Sequence, residues 1–227
     1  MVNQRARSAD AKAQRAEDLL AAAEALALEL GGVRYVTLAP VTDRAGLHRT
    51  GVRRYYASKE ELLLELAERG WRQWLDAITE LTRDRSGLGP RDIALVLTES
   101  LVGLPVFCDC LTHVALTLEG DVSIDRARRY KTNAFGSFDE IVAELTRAGT
   151  LTAPQITALV PIASALAASL WQVAHPTPSL AELYAQVPEW GHVAYDFEPK
   201  LRLAIESAAI GLAVTIPDGG RAEQGRD

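Results

Sequence analysis

Hydrophobic positions recur along this chain every three or four residues, which is the period of an amphipathic α-helix. Glycine and proline punctuate the pattern, as in the run from Ser86 to Pro90. No alternating strand pattern and no internal repeat occurs. The predicted fold is therefore all-α with about nine helices, over residues 13–30, 38–45, 49–56, 59–82, 90–102, 105–118, 123–149, 154–174 and 197–215.

Capping residues locate several helix starts. Thr37 is placed to cap the helix at 38–45, with Pro40 tolerated in its first turn. Ser58 and Glu61 have the spacing of a capping box for the long helix at 59–82. The proline-rich segment 175–196 predicts a loop, inside which a second box, Ser179 with Glu182, predicts a short helix. Residues 217–227 predict a flexible tail.

Composition narrows the class of protein. Hydrophobic residues make up 48% of the 227 residues and charged residues 24%, which is ordinary for a packed globular protein and excludes overall disorder. Two cysteines cannot build a disulfide scaffold, and the first residues lack a secretory signal, so we expect a reducing, cytoplasmic location. Residues 148–181 contain no charged residue, but polar side chains dilute them, so no membrane span is expected.

The net charge of −6 conceals an asymmetry. Residues 1–59 carry ten basic and six acidic residues, whereas the rest of the chain carries fourteen basic and twenty-four acidic ones. A basic head on an acidic body is what an N-terminal module that binds a polyanion would produce. Chance clustering of charge is the alternative.

The basic head contains two short predicted helices joined by Ala45-Gly46-Leu47-His48, the form of a helix-turn-helix. Gly46 allows a left-handed turn. The residues spaced to pack the two helices together are Val41, Ala45, Leu47 and Val52. The second helix is then expected to expose Arg49, Thr50, Arg53 and Arg54. Such a helix fits the major groove of DNA, where arginines bind guanine edges or phosphates. A solvated basic face on a structural helix is the alternative.

From Thr37 to Leu63 the sequence reads TLAPVTDRAGLHRTGVRRYYASKEELL, and it resembles the tetracycline-repressor (TetR) family of bacterial regulators. The residues that match the family pattern outright are Thr37, Ala45, Gly46, Tyr55, Ser58, Lys59, Glu60, Glu61 and Leu62. Departures also occur, because His48 stands where a capping Ser is common and Arg53 where a Tyr is usual. These departures are compatible with DNA binding, but they do not indicate which operator sequence is bound.

The resemblance implies a division into a DNA-binding domain over 1–58 and a ligand-binding and dimerisation domain over 59–216. It implies that Thr37, Tyr55 and Lys59 contact phosphates and that Arg49, Thr50, Arg53 and Arg54 face the groove. Tyr56 replaces a Phe and is expected in the core. The helices at 154–174 and 197–215 would pair with their copies in a homodimer, which a palindromic operator requires. The resemblance therefore implies a ligand-responsive repressor of transcription, without enzymatic activity and without a cofactor.

The resemblance also implies a pocket for a small, largely apolar ligand, and we select five candidate lining residues, Trp74, Phe107, His113, Phe135 and Trp171. Cys108, Cys110 and His113 form a C-x-C-x-x-H group, but on a helix the three do not share one face, so buried thiols are favoured over a metal site. Nothing supplies a nucleophile or a phosphate-binding loop. The rival hypothesis is an all-α ligand-binding or catalytic protein whose basic helix pair is only structural.

Overall fold

The structure is a computed structural model that describes residues 2–48, 51–193 and 196–215. Within these ranges the chain forms nine α-helices and no strand, which confirms the predicted all-α fold. The helices are α1 Val2–Leu30, α2 Leu38–Arg44, α3 Lys59–Leu81, α4 Pro90–Val102, α5 Pro105–His113, α6 Ile124–Ala148, α7 Ala153–Ala174, α8 Pro178–Gln186 and α9 Phe197–Thr215. Short 3₁₀ helices occupy Val33–Tyr35, Val52–Arg54 and Pro188–Val193.

Glycine and proline set the helix ends as the sequence predicts. The chain leaves α1 through Gly31, whose φ of 75° lies in the left-handed region. Pro90 opens α4, and the carboxylate of Asp92 accepts the N–H of Gly89 at 3.0 Å. At the start of α7, Gln155 Oε1 accepts the N–H of Thr152 at 2.8 Å. These contacts satisfy donors that a helix start would otherwise leave unpaired.

Four predicted boundaries are wrong. The helix expected over 13–30 begins at Val2, eleven residues earlier. The helix expected over 105–118 is α-helical only to His113, and residues Val114–Leu118 continue as a π-helical turn. The short helix after α7 is capped by Thr177, whose hydroxyl accepts the N–H of Leu180, and not by Ser179. The helix expected over 49–56 has only a three-residue 3₁₀ helix, Val52–Arg54, in its described part.

Packing divides the chain into two units, Met1–Trp71 with Pro105–Ala134, and Arg72–Leu104 with Phe135–Asp227. The first unit contains α1, α2 and α5. Two of the boundaries fall inside α3 and α6, and the third lies between α4 and α5. This grouping reflects packing, and the division into a DNA-binding domain over 1–58 and a second domain over 59–216 stays a prediction. The core of the first unit includes Leu19, Ala23, Val33, Leu62, Leu64 and Cys110, all fully buried.

Charged side chains also join α3 to α6 in the first unit. Arg126, whose side chain is 8% exposed, lies 3.0 Å from Glu65 Oε2 and 3.0 Å from Glu68 Oε2. Arg129 pairs with Glu65 as well, and Asn133 Nδ2 donates to Glu68 Oε1 at 2.5 Å. A carboxylate that is 4% exposed, like Glu68, requires such partners because burial removes its hydration.

In the second unit α9 packs along both α4 and α7. Its core contains Trp74, whose Nε1 donates to Ser100 Oγ at 2.9 Å, and the fully buried Ile156 and Ile205. Among the described residues, one helix, α7, is long and apolar enough to cross a membrane by length and composition alone. A core helix meets the same criteria, and α7 packs against α9 and α4.

Candidate nucleic-acid interface

The turn after α2 is tightly built from local contacts. Gly46 adopts φ 65°, a left-handed conformation that side-chain-bearing residues rarely take, so the predicted turn at this glycine is confirmed. The N–H of Leu47 then donates to the carbonyl of Thr42 at 3.0 Å. Val41 and Val52, on either side of the turn, are buried in the core of the first unit. The chain on both sides of the turn is thus anchored in one apolar core.

The segment that follows presents basic side chains. The N–H of Gly51 donates to the carbonyl of His48 at 2.7 Å, and that of Tyr55 to Val52 at 2.9 Å, so the backbone winds as a 3₁₀ turn. Arg53 and Arg54 on this turn are exposed. Arg49 and Thr50 lie outside the described residues.

The two tyrosines after the arginines differ in environment. Tyr56 is 5% exposed, and burial raises the pKa of its hydroxyl, which confirms the expectation that it belongs to the core. Tyr55 is half-buried and packs against the same core. Tyr55 thus remains partly exposed next to the exposed Arg54.

The other two predicted phosphate contacts lie at helix starts. Thr37 is exposed at the N-cap position of α2, and its side chain makes no cap hydrogen bond. Lys59 is half-buried, and its Nζ donates to the carbonyl of Arg34 at 2.7 Å. The Ser58–Glu61 box is present in modified form, because Ser58 Oγ accepts the N–H of Glu61 whereas the Glu61 carboxylate accepts the N–H of Ala57 at 2.7 Å.

A bidentate ion pair braces α2 against α1. Both terminal nitrogens of Arg44 donate to the Glu29 carboxylate, each at 2.6 Å. These hydrogen bonds lower the pKa of Glu29. Arg44 is therefore engaged within the protein, whereas Arg53 and Arg54 extend into solvent. Sequence reasoning did not identify this pair, since fifteen residues separate its members.

An open cleft of ≈ 720 Å³ borders the basic segment within the first unit. Cationic and anionic side chains both line it, and several pair with each other, as Arg126 does with Glu65. The lining residues are Lys12, Ala13, Ala16, Arg54, Tyr55, Tyr56, Glu61, Glu65, Asp125, Arg126 and Arg129. This mixed lining does not favour one charge class of ligand.

Comparison with known proteins identifies the family. The sequence profile of "Tetracyclin repressor-like, C-terminal domain" matches residues 68–215. The chain belongs to the TetR family. A search of curated proteins finds no match. A TetR transcriptional regulator from Rhodococcus sp. RHA1 has a similar fold, with a TM-score of 0.53 and 18% identity over 92% of this chain and 99% of that one.

A second solved structure, the transcriptional regulator FadR from Bacillus subtilis in complex with stearoyl-CoA, gives a TM-score of 0.45 and 14% identity over 88% of this chain and 99% of that one. Family membership makes this TetR-family chain a transcriptional regulator and not an enzyme. Regulators of this family bind DNA, dimerise and bind small molecules.

The five predicted pocket residues of this TetR-family chain lie in both units. Phe107 is buried and His113 is 22% exposed in the first unit. In the second, Trp74 is buried, Phe135 is 60% exposed, and Trp171 is half-buried. None of the five lines the open cleft described above, so their role in a ligand pocket stays a prediction.

The neighbours of these residues define small aromatic groups. Trp171 stacks on His175 with ring centroids 3.6 Å apart and meets Phe197 edge-on at 5.2 Å. Within the first unit, Phe107 meets the ring of Trp71 edge-on at 5.5 Å. Such edge-on pairs are favourable arrangements of aromatic rings and require no ligand.

The two cysteines are buried thiols. Burial raises the pKa of Cys108 to about 12 and that of Cys110 well above its usual range. A thiol with so high a pKa is a poor nucleophile and a poor metal ligand at neutral pH. Across the described ranges no three His, Cys, Asp or Glu side chains are grouped so as to hold a metal ion.

Proposed function

We propose that this TetR-family chain is a cytoplasmic, ligand-responsive repressor that binds a palindromic DNA operator as a homodimer. The observation that carries the proposal is the exposure of Arg53 and Arg54 directly after the turn at Gly46, which the buried Val41 and Val52 flank. Arginines held out in this way match the requirement for pairing with base edges or phosphates. The proposed DNA contacts are Thr37, Arg49, Thr50, Arg53, Arg54, Tyr55 and Lys59.

The proposed dimer uses α7 and α9. Exposed apolar side chains on α9 support this, with Leu203 63% exposed and Val214 82% exposed. On α7, Pro161 and Ala165 are exposed one turn apart. Small residues on a helix face allow close approach of a second helix, and exposed apolar area favours association. A two-fold dimer would present two basic segments to successive major grooves.

The proposed effector is a small, largely apolar molecule, and its binding would act through α3. This helix runs without interruption from Lys59, beside the DNA-binding segment, to Leu81 in the second unit. An effector releases DNA only if it binds the non-binding state more tightly, by roughly 10⁴-fold for a shift from 1:99 to 99:1.

The test is retardation of DNA flanking the protein's own gene at several salt concentrations. We expect a Kd of roughly 10⁻⁸–10⁻¹¹ M near physiological salt. The Arg53→Ala variant should lose about 1–3 kcal/mol of binding if Arg53 reads a base, with relaxed preference at that position. If Arg53 contacts phosphate, the loss is uniform across sequences and the salt dependence becomes shallower.

The matched control is Arg83→Ala, which removes an arginine that is 64% exposed and pairs with Glu80 in the second unit. Its affinity for DNA should equal that of the wild type. The triple change Arg49→Ala, Arg53→Ala and Arg54→Ala should abolish specific binding. Unchanged binding of the triple variant would refute the proposed function.

A further inference from the structure

A buried carboxylate connects α5 to the turn between α1 and α2. Asp109, in α5, is 5% exposed, and its Oδ2 accepts the N–H of Val33 at 2.6 Å. Val33 is fully buried and opens the short helix Val33–Tyr35 that leads into α2. A hydrogen bond from a backbone N–H to a charged acceptor is among the stronger types, and burial strengthens it further. Asp109 therefore fixes the backbone immediately before the helix-turn-helix.

The turn is shaped around this carboxylate. Gly32 adopts φ 154°, and a Cβ at this residue would lie 3.2 Å from Asp109 Oδ2. Glycine thus permits both the backbone conformation and the close approach of the carboxylate. From the other side, Lys59 Nζ donates to the carbonyl of Arg34 at 2.7 Å. One anchor comes from α5 and the other from the start of α3.

The second oxygen of Asp109 faces its own helix. His113 Nε2, one turn further along α5, lies 3.7 Å from Asp109 Oδ1, and this buried nitrogen makes no hydrogen bond. Directly after His113 the helix changes to the π-helical turn Val114–Leu118. Such turns interrupt regular helical hydrogen bonding and often occur where a helix has a functional role. A small shift of α5 here would move the carboxylate relative to Val33.

We propose that Asp109 is a positioning residue through which α5 controls the helix-turn-helix. With Oδ2 on the Val33 N–H, the α1–α2 turn holds α2 and the basic segment in the arrangement that binds DNA. Movement of α5 that withdraws the carboxylate frees the turn and lowers the population of that arrangement. This inference rests on the proposed function and adds a specific regulatory contact to it.

The experiment compares Asp109→Ala with the wild type by two measurements, the Kd for the bound DNA fragment and the hydrogen–deuterium exchange rate of the Val33 amide. Removing the acceptor should speed exchange at Val33 and raise the Kd by about 5- to 150-fold, the usual range of coupling between two sites. Asp109→Asn keeps the shape and an acceptor oxygen but loses the charge. For Asp109→Asn, the Kd and the exchange rate of the Val33 amide should therefore lie between those of the wild type and those of Asp109→Ala.

Ser100→Ala is the matched control, because it removes a buried side-chain hydrogen bond, to Trp74, in the second unit. It should destabilise the fold without changing Val33 exchange or the Kd. The inference is overturned if Asp109→Ala binds DNA like the wild type, or if Ser100→Ala weakens binding equally. If Asp109→Ala does not fold, Asp109→Asn decides alone, and an unchanged Kd overturns the inference. Wild-type protein that binds no DNA refutes the proposed function as well.

Discussion

Arg126 offers the sharpest test of the energetics of the first unit. Its side chain is 8% exposed, and the two carboxylates that it contacts belong to Glu65, 21% exposed, and Glu68, 4% exposed. Replacing Arg126 with Met keeps the apolar stem but leaves the Glu68 carboxylate short of a partner in a buried position. Removing one member of a buried ion pair costs about 3–5 kcal/mol. Because Asn133 still donates to Glu68, we expect the lower end, about 3 kcal/mol.

Urea unfolding at a fixed protomer concentration measures this loss, since the stability of a dimer depends on concentration. With a slope of about 2 kcal/mol per molar urea, the midpoint should fall by about 1.5 M. The control is Arg128→Ala in the same helix, whose ion pair with Asp125 is 68% and 85% exposed and should contribute about 0–1 kcal/mol. Equal midpoints for the two variants would refute the reasoning. The double change Arg126→Met with Glu68→Met should recover stability, because no unpaired charge then remains.

Two further predictions concern close packing and thiol chemistry. Gly70→Ala would place a Cβ in steric clash with the ring of Phe107 and should lower the free energy of unfolding by about 1–3 kcal/mol. Gly136→Ala, with open space around it in α6, should raise the free energy of unfolding by about 0.5–1 kcal/mol. Thermal unfolding compares the two, and a stable Gly70→Ala protein would contradict the packing. Because burial raises the thiol pKa values, iodoacetamide at pH 8 should leave Cys108 and Cys110 unmodified in the native protein and label both in urea, as mass spectrometry would report. Native labelling at either position would show that the thiols are accessible.

Local signals explain why much of the fold follows from sequence. The helix expected over 90–102 is Pro90–Val102, because proline and glycine at its ends act within a few residues of their own position. Apolar residues that recur every three or four positions in α3 are buried, as at Leu63, Trp74 and Ile78, in keeping with the period that predicts an amphipathic helix. The local pattern gave the wrong N-cap for α8, because Thr177 caps this helix, two residues before the predicted Ser179.

Contacts between residues far apart in the sequence cannot be predicted from local sequence patterns. Asp109 and Val33 are separated by seventy-six positions, and no spacing rule relates them. In the sequence, Asp109 is one acidic residue between two cysteines. Only the structure shows that it is buried and accepts the N–H of Val33. In the candidate DNA-binding segment, the residue pattern predicted the turn at Gly46, and the family resemblance implied the buried Tyr56. Neither could show that Lys59 would donate to the Arg34 carbonyl.

In the proposed function, two copies of the basic segment after Gly46 bind one DNA duplex symmetrically. A nuclease footprint on a bound genomic fragment, combined with the measured protein-to-DNA stoichiometry, tests this most directly. We expect two protein chains for each site and an inverted repeat whose half-sites are about 34–36 Å apart or a multiple of that distance. One chain for each site, or protection without any inverted repeat, would contradict it.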